Sequence, residues 1–210
     1  MNKNYEKIVS LVCNTLVEAG STFREDKKKA YKRAIASEDN EKAKWVLETV
    51  LANAEAAEKN HSPLCDDTGI PHIVLEIGPD AAVTGRMLDA IREGIAKGLR
   101  KLPGRPMGIM GDDCRRIDQS GGLNPDSAGV EPAPILIRRC QDNVIRLHIL
   151  MFGGGPAIRA KTYRVFHKHN MQVVLDEIVN WATEGVAQLG CSPCTLAVGV
   201  GRSHFEATSM

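Results

Sequence analysis

The segment ILIRRCQDNVIRLHILMFGGG, residues 135–155, gives the clearest indication of the fold class. It contains two runs rich in β-branched and aliphatic residues, 135–139 and 144–151, which predict two strands. Four residues, 140–143, separate the two runs, and that spacing predicts a hairpin. The second predicted strand leads directly into three consecutive glycines at 153–155.

Helical periodicity occupies most of the rest of the chain. Apolar residues recur at three- and four-residue spacing in four segments, as they do along one face of an amphipathic helix. The predicted helices end near Gly20, Glu58, Leu102 and Leu189. Within the third of them, Gly94 and Gly98 each oppose helix formation by about 1 kcal/mol.

Two more strands are predicted, at 73–77 and at 196–200. Because helices and strands do not alternate as regular βαβ units, the pattern favours an α+β fold. We expect a helical N-terminal region followed by a mixed or antiparallel sheet flanked by helices. The chain would form a single domain over 1–210, with a helical region at 1–60 and an α+β catalytic region at 61–210.

Charge and hydropathy argue against several classes of protein. The 210 residues carry 27 Lys and Arg against 26 Asp and Glu, so the net charge is +1. A nucleic-acid-binding protein would show a basic surface, which this balance does not predict. No apolar run approaches the ~20 residues of a membrane span, and the N-terminal residues are too polar for a signal peptide. The predicted location is the cytoplasm, where the six cysteines would be free thiols or metal ligands.

Residues 63–69, PLCDDTG, bring a thiol, two carboxylates, a hydroxyl and a glycine into one predicted turn. Loops on a rigid scaffold commonly carry the side chains that bind and react. Cys65, Asp66 and Asp67 are therefore candidate functional residues. The alternative is an Asp-Thr-Gly turn beside a cysteine that has no role of its own.

Cys191 and Cys194 have the Cys-x-x-Cys spacing that is found in redox pairs and in metal sites. A redox motif is expected at the start of a helix after a strand, whereas this one is predicted to follow a helix and to precede a strand. A structural zinc site that uses these two thiolates and a third is a further alternative.

Gly153, Gly154 and Gly155 follow a predicted strand but lack the lysine and hydroxyl residue of a phosphate-binding loop. Three glycines allow another group to approach the backbone closely, and they expose N–H groups to an anion. The alternative is a flexible exit from the strand.

Taken together and in order, these segments resemble the motifs of one family. Residues 65–69 resemble the Cys-Gln-Asp-Thr-Gly motif of the iron–sulfur (class I) fumarases and of the L-tartrate dehydratase alpha subunits, with Asp66 in place of the glutamine. Residues 103–105, Pro-Gly-Arg, the glycines at 153–155 and the segment around Cys191 resemble further motifs of that family. The resemblance covers roughly residues 40–210.

The resemblance implies a hydro-lyase, an enzyme that reversibly hydrates or dehydrates a small dicarboxylate such as fumarate, malate or tartrate. Its cofactor would be a [4Fe–4S] cluster that is held by three cysteines and has one open iron. Cys65 and Cys191 would be two of those three ligands. Asp67 would take part in proton transfer at the substrate.

The same resemblance implies that Asp66, Arg105 and the glycines at 153–155 contact the substrate, with Arg105 binding a carboxylate. In the family, the third cysteine ligand lies further along than residue 210. Activity is therefore expected to require a C-terminal segment and a beta subunit or partner domain, in a homo- or hetero-oligomer. The alternative is a non-catalytic homologue that acts as a binding or scaffold subunit, which Asp66 and the absent third ligand would favour.

Overall fold

The computed structural model describes residues 3–67, 69–102, 114, 123–130, 132–189 and 192–209. The chain divides into two compact units, 1–154 and 155–210. The interpretation as a single domain, with a helical region at 1–60 and a catalytic region at 61–210, stays a prediction.

The part of the first unit that the structure describes includes four long helices and three strands. They are α1 (Lys3–Ser21), α2 (Glu25–Ser37), α3 (Glu41–Asn60), β1 (Ile70–Ile77), α4 (Gly85–Lys101), β2 (Leu136–Arg139) and β3 (Ile145–Phe152). The starts of α3 and α4 are capped, because the Asn40 side chain accepts from backbone N–H groups of α3 and the Thr84 side chain from one of α4. The predicted α+β class is confirmed, as are the helices that end near residues 20, 58 and 102.

The three strands form one mixed sheet in the order β2-β1-β3, in which β2 is parallel and β3 antiparallel to β1. The predicted hairpin between β2 and β3 is therefore wrong, since both strands pair with β1 instead of with each other. The link between them crosses the end of β1, where Cys140 donates to the Ile77 carbonyl (3.1 Å) and Gly78 to the Val144 carbonyl (2.8 Å).

The hydrophobic core lies between one face of the sheet and the pair α1 and α4. Alternate residues of β1, among them Ile73 and Leu75, are fully buried in it, as is expected of a strand that has one covered face. Leu16 of α1 and Ile91 and Ile95 of α4 complete its centre. This core positions both ends of β1, one of which carries the candidate site.

The second unit contains α6 (Met171–Ala187) and α7 (His204–Thr208), and a short helix, α5 (Gly154–Arg159), links it to the end of β3. Tyr163 stacks on Trp181 of α6, with ring centroids 4.0 Å apart. The predicted helix that ends near Leu189 is confirmed as α6, which ends two residues earlier. Within the described part of the chain, no helix is long and apolar enough to cross a bilayer.

The strand predicted at 196–200 is wrong, because these residues have no regular structure. Their backbone packs against α7, and a Cβ at Gly199 would overlap the Ala207 carbonyl oxygen. The alternating apolar residues that suggested a strand, Leu196, Val198 and Val200, are 54%, 56% and 60% exposed. Alternation alone does not make a strand, which also needs a neighbouring strand to hydrogen-bond with.

Gly94 and Gly98, which oppose helix formation in sequence, lie where α1 and α4 pack most closely. A Cβ at Gly94 would be 2.6 Å from Val12 Cβ and 2.8 Å from the Val9 carbonyl oxygen. Glycine at these positions lowers the helix propensity of α4, but it allows α1 and α4 to approach more closely than a residue with a Cβ would.

We therefore expect Gly94→Ala to lower the free energy of unfolding by up to about 2 kcal/mol, because overpacking of this contact costs about 1–3 kcal/mol and the gain in helix propensity offsets about 1 kcal/mol of it. Gly185→Ala is the matched control, since nothing lies within 4 Å of a Cβ there. In the last turn of α6 that control should raise helix stability by up to about 1 kcal/mol. Urea unfolding of both variants measures the difference, and equal effects would contradict the close packing of α1 on α4.

Candidate functional site

The segment that carries the cysteine and the two aspartates is fixed to the helices before it. α3 ends at Asn60, and the next residue, His61, caps it: His61 has a left-handed backbone (φ 50°) and donates its N–H to the carbonyls of Ala57 and Glu58. Leu64 then donates its N–H to the Gly20 carbonyl (3.1 Å), and the Asn53 side chain donates to the Leu64 carbonyl (3.3 Å). The residues that follow Leu64 therefore start from a defined position at the end of α1.

The register of β1 and β3 brings the two candidate motifs together. Ile70, the first residue of β1, pairs with Phe152, the last residue of β3. Residues 65–69 therefore end where the glycines at 153–155 begin. Gly69 has a φ of 89°, and a Cβ on it would overlap the Phe152 carbonyl group and lie 2.7 Å from the Gly153 nitrogen.

One hydrogen bond joins the two motifs directly. The Gly154 N–H donates to Oδ1 of Asp67 over 3.2 Å. The Asp67 side chain is half-buried, whereas Cys65 and Asp66 on the same turn are exposed. This hydrogen bond can hold the Asp67 carboxylate in one orientation, on the same turn as the exposed Cys65 thiol. A carboxylate held in this way can transfer a proton to or from a group that binds next to it.

The opposite end of the β1–β3 pair carries a different kind of carboxylate. Glu76 accepts from Arg146 (2.6 Å) and lies 3.3 Å from the His148 ring nitrogen Nε2. The hydrogen bond from the Arg146 guanidinium, followed by the one from His148, holds the pKa of Glu76 below its ordinary value. Glu76 belongs to an ion-pair network on the exposed face of the sheet.

Comparison with known proteins identifies the family. The fumarate hydratase (Fumerase) family matches residues 9–210 of the chain. The chain belongs to this family. The resemblance that the motifs predict is therefore confirmed.

Two curated relatives that match the chain are longer than it is. A putative L(+)-tartrate dehydratase subunit alpha of Methanocaldococcus jannaschii is 27% identical over 198 residues, which are 93% of this chain and 66% of the relative. A putative fumarate hydratase class I of Geobacillus stearothermophilus is 24% identical over 156 residues, 74% of this chain and 28% of the relative. The chain thus spans just under two thirds of the first relative and less than a third of the second.

The remaining candidate residues of this fumarate hydratase family member are placed only in part. Arg105 and Cys191 lie outside the described residues. Cys194 is half-buried in the second unit. Over the described residues, no group of three or more His, Cys, Asp or Glu side chains is arranged to hold a metal ion.

Sequence reasoning did not single out His72, which lies in β1 close to the two motifs. Its Nδ1 donates to the Ile70 carbonyl over 2.9 Å, and its ring contacts the ring of Phe152 edge-on. A single histidine between apolar residues carries no recognisable pattern. The available signal was its position two residues after the start of a strand that begins at a candidate motif.

Proposed function

We propose that this chain is the alpha portion of a hydro-lyase that reversibly hydrates or dehydrates a small dicarboxylate, of the fumarate, malate or tartrate type. The observation that carries the proposal is the hydrogen bond from Gly154 to Asp67. It joins the two motifs that resemble those of the family to which the chain belongs, and the Asp67 carboxylate lies at their junction.

Asp67 is the proposed proton-transfer group. Removing water from a hydroxy acid requires a base that takes a proton from the carbon adjacent to the one that bears the leaving hydroxyl, and hydration requires an acid that returns a proton to that carbon. The hydrogen bond from the Gly154 N–H to Oδ1 orients the Asp67 carboxylate before the substrate binds, which lowers the entropy cost of each turnover.

The substrate's negative charges require donors on the protein. Arg105 is proposed to bind one carboxylate in a two-pronged geometry, and the glycines at 153–155 to offer backbone N–H groups. Asp66 is proposed to contact the substrate as well. Its exposed carboxylate adds a negative charge beside the reacting group, so that it would disfavour substrates that place an anion there.

The proposed cofactor is a [4Fe–4S] cluster with Cys65 and Cys191 as thiolate ligands. Cys65 fits this role by its chemistry, because it is an exposed free thiol on the turn that also carries Asp67. When bound, such a cluster would supply an iron that acts as a Lewis acid toward the substrate hydroxyl. The third ligand is proposed to come from a part of the enzyme beyond these 210 residues.

The proposed partners are a beta subunit, or a C-terminal domain of the same enzyme, within a homo- or hetero-oligomer in the cytoplasm. The relative from Methanocaldococcus jannaschii is named as a subunit alpha, and the chain covers 66% of its length. Both facts support an active site that this chain completes only together with other protein segments.

We expect Cys65→Ser to abolish the visible absorbance of the cluster in the complete enzyme, purified without oxygen, since a serine hydroxyl replaces a thiolate ligand. Iron, acid-labile sulfide and turnover of fumarate, malate and tartrate are measured on the same samples. Cys140→Ser, at the end of β2, is the matched control and should retain all of these signals. Full absorbance in Cys65→Ser would refute the ligand assignment, and a wild-type protein without iron or turnover would favour the non-catalytic homologue.

A further inference from the structure

The His72 side chain is hydrogen-bonded to the backbone of its own strand, β1. The Ile70 carbonyl accepts the Nδ1 proton over 2.9 Å, so the ring orientation is fixed two residues from the start of the strand. The ring is half-buried on the sheet face opposite the core, because the residues on either side of it, Pro71 and Ile73, are the ones that point into the core.

The His72 ring contacts Phe152, the residue that precedes the glycines at 153–155. β1 and β3 pair His72 with Leu150 and Ile70 with Phe152, so His72 and Phe152 are diagonal neighbours on one face. Their rings meet edge to face, with centroids 5.6 Å apart and planes at 87°. This is the arrangement that aromatic pairs prefer, and it restrains the Phe152 side chain in one position.

The backbone of Phe152 is restrained from a second side. Gly69 lies so close to Phe152 and Gly153 that a Cβ on it would overlap the Phe152 carbonyl and crowd the Gly153 nitrogen. Phe152 is thus held through its ring by His72 and through its backbone by Gly69. Two residues further along, the Gly154 N–H donates to Asp67.

We propose that His72 is a positioning residue for the reaction, which acts through Phe152 to keep the Gly154 N–H on the Asp67 carboxylate. The expected effect on turnover rests on the proposed function. The proposed coupling of His72 to Gly154 depends only on the fold, so it can be tested without turnover. Displacement of a reacting group by about 1 Å can lower turnover about 10²-fold, so a positioning role is measurable.

The test follows the Gly154 amide by nuclear magnetic resonance. Protein labelled with ¹³C at glycine carbonyls and ¹⁵N at glycine nitrogens shows coupled signals only where one glycine follows another, at residues 122, 154 and 155. Asp67→Ala identifies the Gly154 signal, because that variant removes its acceptor.

In His72→Ala we expect the Gly154 amide to exchange with solvent about tenfold faster, because local opening becomes easier while the core stays folded. His72→Phe keeps a ring against Phe152 and should restore most of the protection. His148→Ala is the matched control, since it removes a histidine ring that contacts Glu76 on β1 and not Phe152. Unchanged exchange at Gly154 in His72→Ala would overturn the proposal, as would a loss of protection explained by an equal loss of global stability.

Kinetics in the complete enzyme separate this inference from the proposed function. We expect His72→Ala to lower kcat about tenfold with KM within about twofold, which is the signature of a group that matters in the transition state. A wild-type enzyme with no hydro-lyase turnover would refute the proposed function and leave the Gly154 amide to decide the coupling. A normal kcat in His72→Ala would overturn the positioning role.

Discussion

Asp67→Asn should lower kcat of the complete enzyme by about 10³-fold and leave the fold intact, because general acid–base catalysis contributes about 10²- to 10⁴-fold. The asparagine side chain keeps a carbonyl oxygen that can accept from the Gly154 N–H, so the local hydrogen bond survives. The amide cannot take up a proton from carbon at neutral pH. Steady-state turnover and thermal unfolding, measured on the same preparation, test both parts.

The control for this variant is Asp26→Asn, which removes an exposed carboxylate at the start of α2 where it pairs with Arg24. An exposed ion pair contributes little to stability, so this control should keep both turnover and thermal stability. Wild-type turnover in Asp67→Asn would remove Asp67 from proton transfer. A large fall in thermal stability would assign it a structural role instead.

Four helices and three of the four predicted strands were predictable from sequence because their patterns are local, but strand order was not. The four residues between the two predicted strands, 140–143, suggest a hairpin, yet the link bonds across the end of β1, where the Cys140 N–H donates to the Ile77 carbonyl. That contact depends on a strand more than sixty residues away in the sequence. Local spacing therefore indicates that two strands exist, and packing on the core determines which strands become neighbours.

The candidate site shows the same division between local and long-range information. The residues at 65–69 and at 153–155 can be identified in sequence by composition, and each has an ordinary structural alternative. What joins them is the hydrogen bond between Asp67 and Gly154, 87 residues apart, and this follows from the pairing of Ile70 with Phe152. His72 was missed because its contribution depends on that same pairing.

Gly69→Ala should be the most destabilising single methyl addition in the site, lowering the free energy of unfolding by about 2–5 kcal/mol. A φ of 89° is unfavourable for any residue with a Cβ, which adds about 1–2 kcal/mol. The methyl group would also overlap main-chain atoms of Phe152, which cannot rotate away as a side chain can, and overpacking of this kind costs about 1–3 kcal/mol.

Gly85→Ala is the matched control for Gly69→Ala, since no atom lies within 4 Å of a Cβ there and the residue begins α4 with ordinary helical geometry. It should change the free energy of unfolding by less than about 1 kcal/mol, in the stabilising direction. At about 2–4 °C per kcal/mol for a chain of this size, Gly69→Ala should melt at least ~4 °C below the wild type.

Because the overlap separates the start of β1 from the end of β3, the Gly154 amide should also lose its protection from solvent exchange before the core amides of β1 do. A Gly69→Ala protein that melts with the wild type would mean that β1 and β3 do not meet closely at the candidate site, and the contact between Asp67 and Gly154 would lose its structural basis.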